Sequence, residues 1–168
     1  IQIKTYAKIN LFLEVTGQRK DGYHDLITVF QAIDLFDTIQ LTPQSNGITM
    51  TCSDPTLPVD SKNLAYHAAE LLQTESNISS GMKIHLQKNI PTGTGLGGGS
   101  SDAAAVLVGC NQLWDLKLTP KKLEEIGAKL GMDVPFFIQG GRALGIERGE
   151  IIKNRYPTPN LNLVLIYP

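Results

Sequence analysis

The sequence has few of the residues from which metal centres and disulfide frameworks are built. It contains two cysteines, Cys52 and Cys110, which lie far apart with no Cys-x-x-Cys or nearby Cys/His spacing. This pattern predicts neither a zinc site nor a disulfide framework, and it fits a reducing cytosol best. We recognise no signal peptide and no apolar run long enough for a transmembrane helix, so we expect no membrane association.

An excess of positive charge is also missing. Fifteen Lys and Arg residues against sixteen Asp and Glu residues give a net charge of −1. Without a broad positive field the chain is not expected to bind nucleic acid or an anionic membrane, so any anion must be bound at a local site. With 168 residues, 42% of them hydrophobic, the chain is expected to form one soluble domain with a single core.

The start of the chain has the two-residue period of a β-strand. From Ile1 to Val15 the odd positions are apolar or small, with Thr5 as the exception. This predicts a strand with one buried face, and it places Lys8 and Asn10 together on the opposite face. Further strands are predicted at residues 25–41, 48–52 and 82–86, as a pair within 140–152, and at 161–167.

Three segments are predicted to be helices. Asn63 can cap the first, the second starts near Ser100 or Ser101, and Pro120 and Gly131 delimit the third. Small alanines near the start of the second helix would let it approach a sheet closely. Because strands come first and helices then alternate with strands, the order favours an α+β fold over a doubly wound sheet.

The segment from Pro91 to Asp102 is rich in glycine, with five glycines in the seven positions 93–99. Glycines let a backbone turn its N–H groups inward, and such a concavity binds phosphate. The helix that follows adds the positive end of its dipole, and the hydroxyls of Ser100 and Ser101 can bind a phosphate oxygen or a magnesium ion. A flexible linker would not run directly from an alternating strand into an alanine-rich helix.

Two better-known phosphate loops do not fit. No Gly-Lys-Ser/Thr is present, which excludes a Walker A loop. Residues 93–98 match Gly-x-Gly-x-x-Gly, but the dinucleotide version requires a buried parallel strand before the loop and an acidic residue at the end of the next strand. Here the preceding strand has a polar face and a second helix follows, so a Rossmann site is not predicted.

The string Pro-x-Gly-x-Gly-Leu-Gly-Gly-Gly-Ser-Ser-x-Ala-Ala at 91–104 resembles the phosphate loop of the GHMP kinases. Three further segments resemble motifs of the diphosphocytidyl-methylerythritol kinases within that superfamily. They are residues 7–13, 19–24 and 131–137. The departures from the family pattern are Tyr6, Thr92, Thr94 and Asp102, where Pro, Met, a small residue and Asn are common. The resemblance covers nearly the whole chain.

That resemblance implies a GHMP kinase N-terminal domain over residues 1–168, built as a mixed, mostly antiparallel sheet with helices packed on it. It implies a second, C-terminal GHMP domain that this chain lacks. The implied activity is phosphorylation of the 2-hydroxyl of cytidine diphosphate-linked methylerythritol, with ATP and Mg²⁺ as cofactors. The resemblance further implies a monomer or homodimer, located in the cytoplasm or in a plastid. The alternatives are a GHMP kinase for another small alcohol and a non-catalytic nucleotide-binding module.

The resemblance also assigns roles to residues. Asp133 is implied as the general base and Lys8 as its partner, while Asn10, Tyr23 and His24 are implied as substrate contacts. Nucleotide contacts are implied for Asn63, Lys88, Pro91, Gly93, Gly95, Leu96, Gly97, Gly98, Gly99, Ser100 and Ser101. The metal ligands stay unassigned.

Without these motifs the same residues have ordinary structural explanations. Asp133, two residues before a proline, would be a helix N-cap or turn residue. Lys8 would be a solvated lysine on an exposed strand face. Asn63 would be a helix cap, and Lys88 the exposed end of a strand.

Overall fold

A computed structural model describes residues 1–20, 22–158 and 160–166 of the chain. The elements, in chain order, are β1 (Gln2–Gln18), β2 (His24–Gln44), β3 (Ile48–Cys52), α1 (Leu64–Ser76), β4 (Gly81–Gln87), α2 (Gly98–Leu113), α3 (Pro120–Gly127), α4 (Val134–Phe137), β5 (Arg142–Glu147) and β6 (Ile151–Tyr156). No helix in these described ranges is long and apolar enough to cross a membrane.

Strand β2 is the central strand of the sheet and pairs with three others. It pairs antiparallel with β1 along one edge and with β4 and β5 along the other. The order of the sheet is β3-β4-β2-β5-β6 with β1 on β2, and β3–β4 is its parallel pair. The predicted mixed, mostly antiparallel sheet with helices packed on it is confirmed. A strand pair was predicted within 140–152 and is present, but its second strand runs on to Tyr156.

Helices α1 and α2 pack on each other, and α2 lies against β1 and β2. The close approach predicted for α2 is confirmed, because Ala103 and Ala104 are buried and a Cβ added at Gly109 would lie 2.3 Å from Leu41. Helix α2 begins at Gly98, earlier than the predicted start at Ser100 or Ser101. Two glycines therefore belong to its first turn, after Gly97 has reversed the chain in a left-handed conformation.

The burial of β1 differs from the prediction. Lys8 donates to Asn10 at 2.9 Å, so the two residues share one face of β1 as predicted. Both faces are covered here, because Ala7 packs with Ile90 and Leu96 while Lys8 lies beside Phe30 and Asp133, so Ala7 and Lys8 are both buried. Farther along, the apolar side chains of Leu11 and Leu13 are exposed, so the predicted buried face ends well before Val15.

Three other predictions of local structure were wrong. Helix α3 ends at Gly127 rather than at Gly131, and the short helix α4 was not predicted. Residues 161–166 form no strand, and Tyr167 lies outside the described residues. An alternating or apolar run becomes a strand only where a neighbouring strand accepts its backbone hydrogen bonds, and none of the six described strands pairs with this run.

Candidate active site

The glycine-rich segment forms the wall of a cleft between β4 and α2. The cleft has a volume of about 360 Å³, within the usual range for small-ligand sites. Its lining consists of Leu57, Pro58, Lys62, Asn63, Leu64, Leu86, Lys88, residues 91–100 and Asp102. The structure thus brings together all the predicted nucleotide contacts except Ser101, which belongs to the first turn of α2 and is buried.

Three glycines give the loop its shape. Gly93, Gly95 and Gly97 have φ angles of 74°, 76° and 75°, a left-handed conformation that other residues adopt at a cost. At Gly97 space is also limiting, because a Cβ there would lie 2.7 Å from the ring of Phe137. At Gly95 nothing lies within 4 Å of the added Cβ, so only the backbone conformation requires glycine.

Lys8 and Asp133 meet beside this loop. The Lys8 ammonium lies 3.3 Å from Asp133 Oδ2 and donates to Asn10 Oδ1 at 2.9 Å. The Lys8 backbone N–H donates to the Leu96 carbonyl of the loop at 2.9 Å. The predicted catalytic pair is therefore attached directly to the candidate phosphate loop.

Asp133 stands at the N-cap position of α4, yet its side chain makes no capping hydrogen bond, and its φ and ψ of −84° and −18° are already helical. Asp133 therefore does not cap the helix with its side chain, although it does lie in a turn, the other structural explanation for it. Its carboxylate is about one third exposed, whereas the paired Lys8 side chain is 7% exposed. This arrangement leaves a carboxylate oriented by a buried cation and reachable by a small molecule.

Asn10 is fixed from its other side by a residue that was not predicted. Its Nδ2 donates to Thr28 Oγ1 at 2.6 Å, and Thr28 in turn donates to the Phe12 carbonyl at 2.8 Å. A signal for Thr28 was present in the sequence, because it lies two residues before the buried Phe30 and so shares its face of β2. Lys8, Asn10 and Thr28 therefore form one hydrogen-bonded network.

Tyr23 and His24 lie where the β1–β2 hairpin turns. His24 is four residues before Thr28 on β2, so the two side chains lie on the same face of that strand. The Tyr23 ring is 54% exposed, and the guanidinium of Arg148 lies 5.3 Å from its centroid. An exposed aromatic face of this kind can stack on a planar base.

Asn63 caps α1 as predicted, since its Oδ1 accepts the Ala65 N–H at 3.0 Å. Lys88 is not the exposed strand end that its position suggests. Its side chain is 7% exposed and forms ion pairs with the buried carboxylates of Asp37 and Asp102. Asp37 was missed in the sequence, although it lies two residues before the buried Ile39 and therefore shares a core-facing side of β2.

Burial raises the pKa of the Asp102 carboxyl from 3.8 to about 7; the Lys88 ammonium opposes this rise, and the Asp37 charge adds to it. Burial likewise raises the pKa of Cys110 to about 12, so this core thiol is not a reactive nucleophile. Across the part of the chain that the structure describes, no group of three or more His, Cys, Asp or Glu side chains could hold a metal ion.

Comparisons with known proteins identify a matching family model and similar proteins. Residues 63–141 match the model of the GHMP kinases N-terminal domain. A 4-diphosphocytidyl-2-C-methyl-D-erythritol kinase of Synechococcus sp. (strain JA-2-3B'a(2-13)) is 53% identical over 88% of this chain and 47% of its own length. A protein of the same name from Caldicellulosiruptor bescii is 43% identical over 100% of this chain and 59% of its own length.

A solved structure of a kinase with the corresponding name has a similar fold. The crystal structure of a 4-(cytidine 5'-diphospho)-2C-methyl-D-erythritol kinase superposes with a TM-score of 0.78 at 39% identity, covering 91% of this chain and 54% of that one. The chain belongs to the GHMP kinases. The mevalonate kinase of Methanococcus jannaschii, at 18% identity over 93% of this chain and 56% of that one, shares the fold with a TM-score of 0.70.

This GHMP kinase chain spans about half the length of the curated relatives it matches, between 47% and 59% of the two named above. The predicted fold, a GHMP kinase N-terminal domain, is confirmed. The roles of its individual site residues stay predictions.

Proposed function

We propose that this chain is the N-terminal part of an ATP-dependent kinase that phosphorylates the 2-hydroxyl of 4-diphosphocytidyl-2-C-methyl-D-erythritol. The observation that carries the proposal is the Lys8–Asp133 pair, 3.3 Å apart and hydrogen-bonded through the Lys8 backbone to the glycine loop. A kinase needs a group that accepts the proton of the alcohol next to a group that holds the phosphates. The names of the relatives at 43–53% identity support the substrate.

In the proposed reaction Asp133 accepts the proton of the attacking hydroxyl as the phosphoryl group arrives. Lys8 orients this carboxylate and offsets the negative charge that develops at the attacking oxygen and the γ-phosphate. Asn10 is held by Lys8 and Thr28 and can donate to or accept from the acceptor alcohol. Lys8 already contacts both Asp133 and Asn10 in this structure.

The glycine loop would hold the phosphates of ATP through its inward N–H groups and the start of α2. Mg²⁺ prefers oxygen ligands, and the Ser100 hydroxyl in the cleft lining fits that preference, with the phosphate oxygens supplying the remainder. When bound, the ion neutralises charge on the phosphates. The Tyr23 ring offers a stacking surface for the cytosine, and His24 offers hydrogen bonds to its polar edge.

The test is a phosphorylation assay on the full-length enzyme with ATP and a panel of acceptor alcohols. We expect turnover of the cytidine diphosphate-linked acceptor and at least about a hundredfold lower kcat/KM for small alcohols without the cytidine, since remote binding energy supports the reaction. If the enzyme prefers another alcohol, the proposed substrate is wrong, although the proposed kinase activity stands. Nucleotide binding without turnover of any alcohol would leave a binding module.

A further inference from the structure

Beneath the glycine loop lies a buried group of three charges. Asp37 is 0% exposed and Asp102 is 2% exposed, and the Lys88 ammonium lies between them. It is hydrogen-bonded to Asp37 Oδ2 and lies 3.6 Å from Asp102 Oδ2. Such a buried group costs desolvation energy, so a function beyond stability is a reasonable explanation for it.

Asp37 holds backbone as well as the ammonium. Its Oδ1 accepts the N–H groups of Asn89 at 2.5 Å and Ile90 at 2.7 Å, the last residues before the loop begins at Pro91. On the far side of the loop Asp102, in the first turns of α2, accepts from Thr5 at 2.7 Å. The charged group therefore connects the chain that enters the loop with the helix that leaves it.

Lys88 also touches the loop itself. A Cβ added at Gly98, the first residue of α2, would lie 2.8 Å from the Lys88 ammonium nitrogen. Lys88 and Asp102 both line the cleft. The Lys88 ammonium is thus held beside the helix N-terminus that would face the phosphates, where it can donate a hydrogen bond to a phosphate oxygen.

We propose that Asp37 is a positioning residue for nucleotide binding, which acts by holding Lys88 beside Gly98 and by holding the strand end that leads into the loop. The proposal rests on the proposed function, because it requires an adenine nucleotide in this cleft. Asp37 is fully buried and does not line the cleft, so it would act on a nucleotide only through the groups it holds.

The competing explanation is that Lys88 does no more than neutralise Asp37 inside the fold. The two explanations differ when both charges are removed together. A purely structural ion pair can be replaced by neutral side chains with little loss, as buried pairs often can. If the Lys88 charge acts on the phosphates, its removal weakens ATP binding even in a double variant that folds as stably as the wild type.

The experiment measures KM for ATP, KM for the acceptor alcohol and kcat in the full-length enzyme for Asp37→Asn, Lys88→Met and the double variant. The control is Glu124→Gln, which breaks the partly buried Arg155–Glu124 ion pair of 2.9 Å away from the cleft. We expect KM for ATP to rise about tenfold or more in all three variants, the size of a lost charge-assisted hydrogen bond, with KM for the alcohol within about twofold. The control should leave all three constants nearly unchanged.

Thermal melts identify variants that fail to fold, and if Asp37→Asn fails, the double variant decides. A double variant that melts near the wild type with KM for ATP still raised supports the proposal. A normal KM for ATP in that variant, or in a folded Asp37→Asn, overturns it. An inactive wild type would instead contradict the proposed kinase function, so the two failures are distinguishable.

Discussion

At the scale of single residues, the candidate chemistry depends on a carboxylate that is paired with a lysine and is not used to cap the helix it begins. Asp133 begins α4 without capping it, and Lys8, buried beside Phe30, points its ammonium at the carboxylate from 3.3 Å. A buried lysine with no partner would be costly, so its pairing with Asp133 and Asn10 also stabilises the fold. Substitution at this pair should therefore affect catalysis far more than nucleotide affinity.

Asp133→Asn in the full-length enzyme is expected to lower kcat by roughly 10²–10⁴, the usual size of a lost general base, with KM for ATP little changed. Asn keeps the size of Asp and an oxygen that can still accept from Lys8, so a purely structural Asp133 would give near-normal turnover. Steady-state kinetics with thermal melts check this. The matched control is Asp115→Asn, which breaks the exposed Asp115–Lys117 pair of 3.4 Å.

Lys8→Ala is expected to cost a similar factor in kcat, and the double variant Lys8→Ala with Asp133→Asn should be much less than additive. Two residues that serve one transition state fail as a unit. The measurement is a double-mutant cycle on kcat. Additive losses would show that the two residues act independently and would contradict the paired mechanism.

Asp102 should make the stability of the domain depend on pH. Its pKa is about 7 in the folded state against 3.8 in an unfolded chain, so the folded state binds the proton more tightly. The free energy of unfolding contributed by this group is therefore greatest below pH 3.8, falls as pH rises, and levels off above about pH 7. Urea denaturation across this window should show a loss of at least about 1.4 kcal/mol, the equivalent of one pKa unit.

Asp102→Asn removes this titration while its amide oxygen can still accept the Thr5 hydroxyl. The difference in unfolding free energy between the wild type and Asp102→Asn should change steadily across the window and stay constant above it. A difference that does not vary with pH would mean that Asp102 has an ordinary pKa in the folded state.

At the scale of elements, the glycine loop joins a strand to a helix through left-handed backbone that leaves room for a ligand. Gly97 and Gly98 have protein atoms where a side chain would be, so substitutions there disturb packing against Phe137 and Lys88. Gly95 has the same left-handed conformation with open space beside it, at φ +76°. It therefore tests the loop without disturbing the core.

Gly95→Ala is expected to cost about 1–2 kcal/mol of backbone strain and to raise KM for ATP about tenfold or more, because the loop relieves the strain by moving its N–H groups. Gly47→Ala is the matched control, since Gly47 has a φ of +68° and equally open space in a turn outside the cleft. Kinetics and urea denaturation should show a similar loss of stability in both variants. An unchanged KM in Gly95→Ala would make the loop structural only.

At the scale of the whole molecule, the cleft, which is lined by residues between Leu57 and Asp102, is open on one side. The chain covers 47% of the length of its Synechococcus relative. Phosphoryl transfer in this class depends on a site from which water is excluded. If a second domain supplies the other wall of the cleft, the chain of residues 1–168 by itself should bind adenine nucleotide weakly and turn over no substrate. Calorimetry and a kinase assay on this chain check both parts, and robust turnover would contradict the proposal.

The sequence by itself determined the features whose causes are local. The glycines of residues 93–99 specify left-handed turns before a helix, Asn63 and Thr119 specify helix starts through their own side chains, and the two-residue period specifies the strands β3 and β4. Each of these signals acts within a few residues, so the phosphate loop and the α+β order were predictable without a structure.

The tertiary structure decided which of these residues meet. Lys8 shares a face of β1 with Asn10, as its period predicts, but the contacts with Phe30 and Asp133 that bury this face come from distant parts of the chain. Asp37 binds Lys88 across 51 positions, a contact that no local period describes. Burial, ion pairing and the pKa of Asp102 all arise from such distant contacts, because they depend on which side chains the folded sheet and helices bring within a few ångströms of each other.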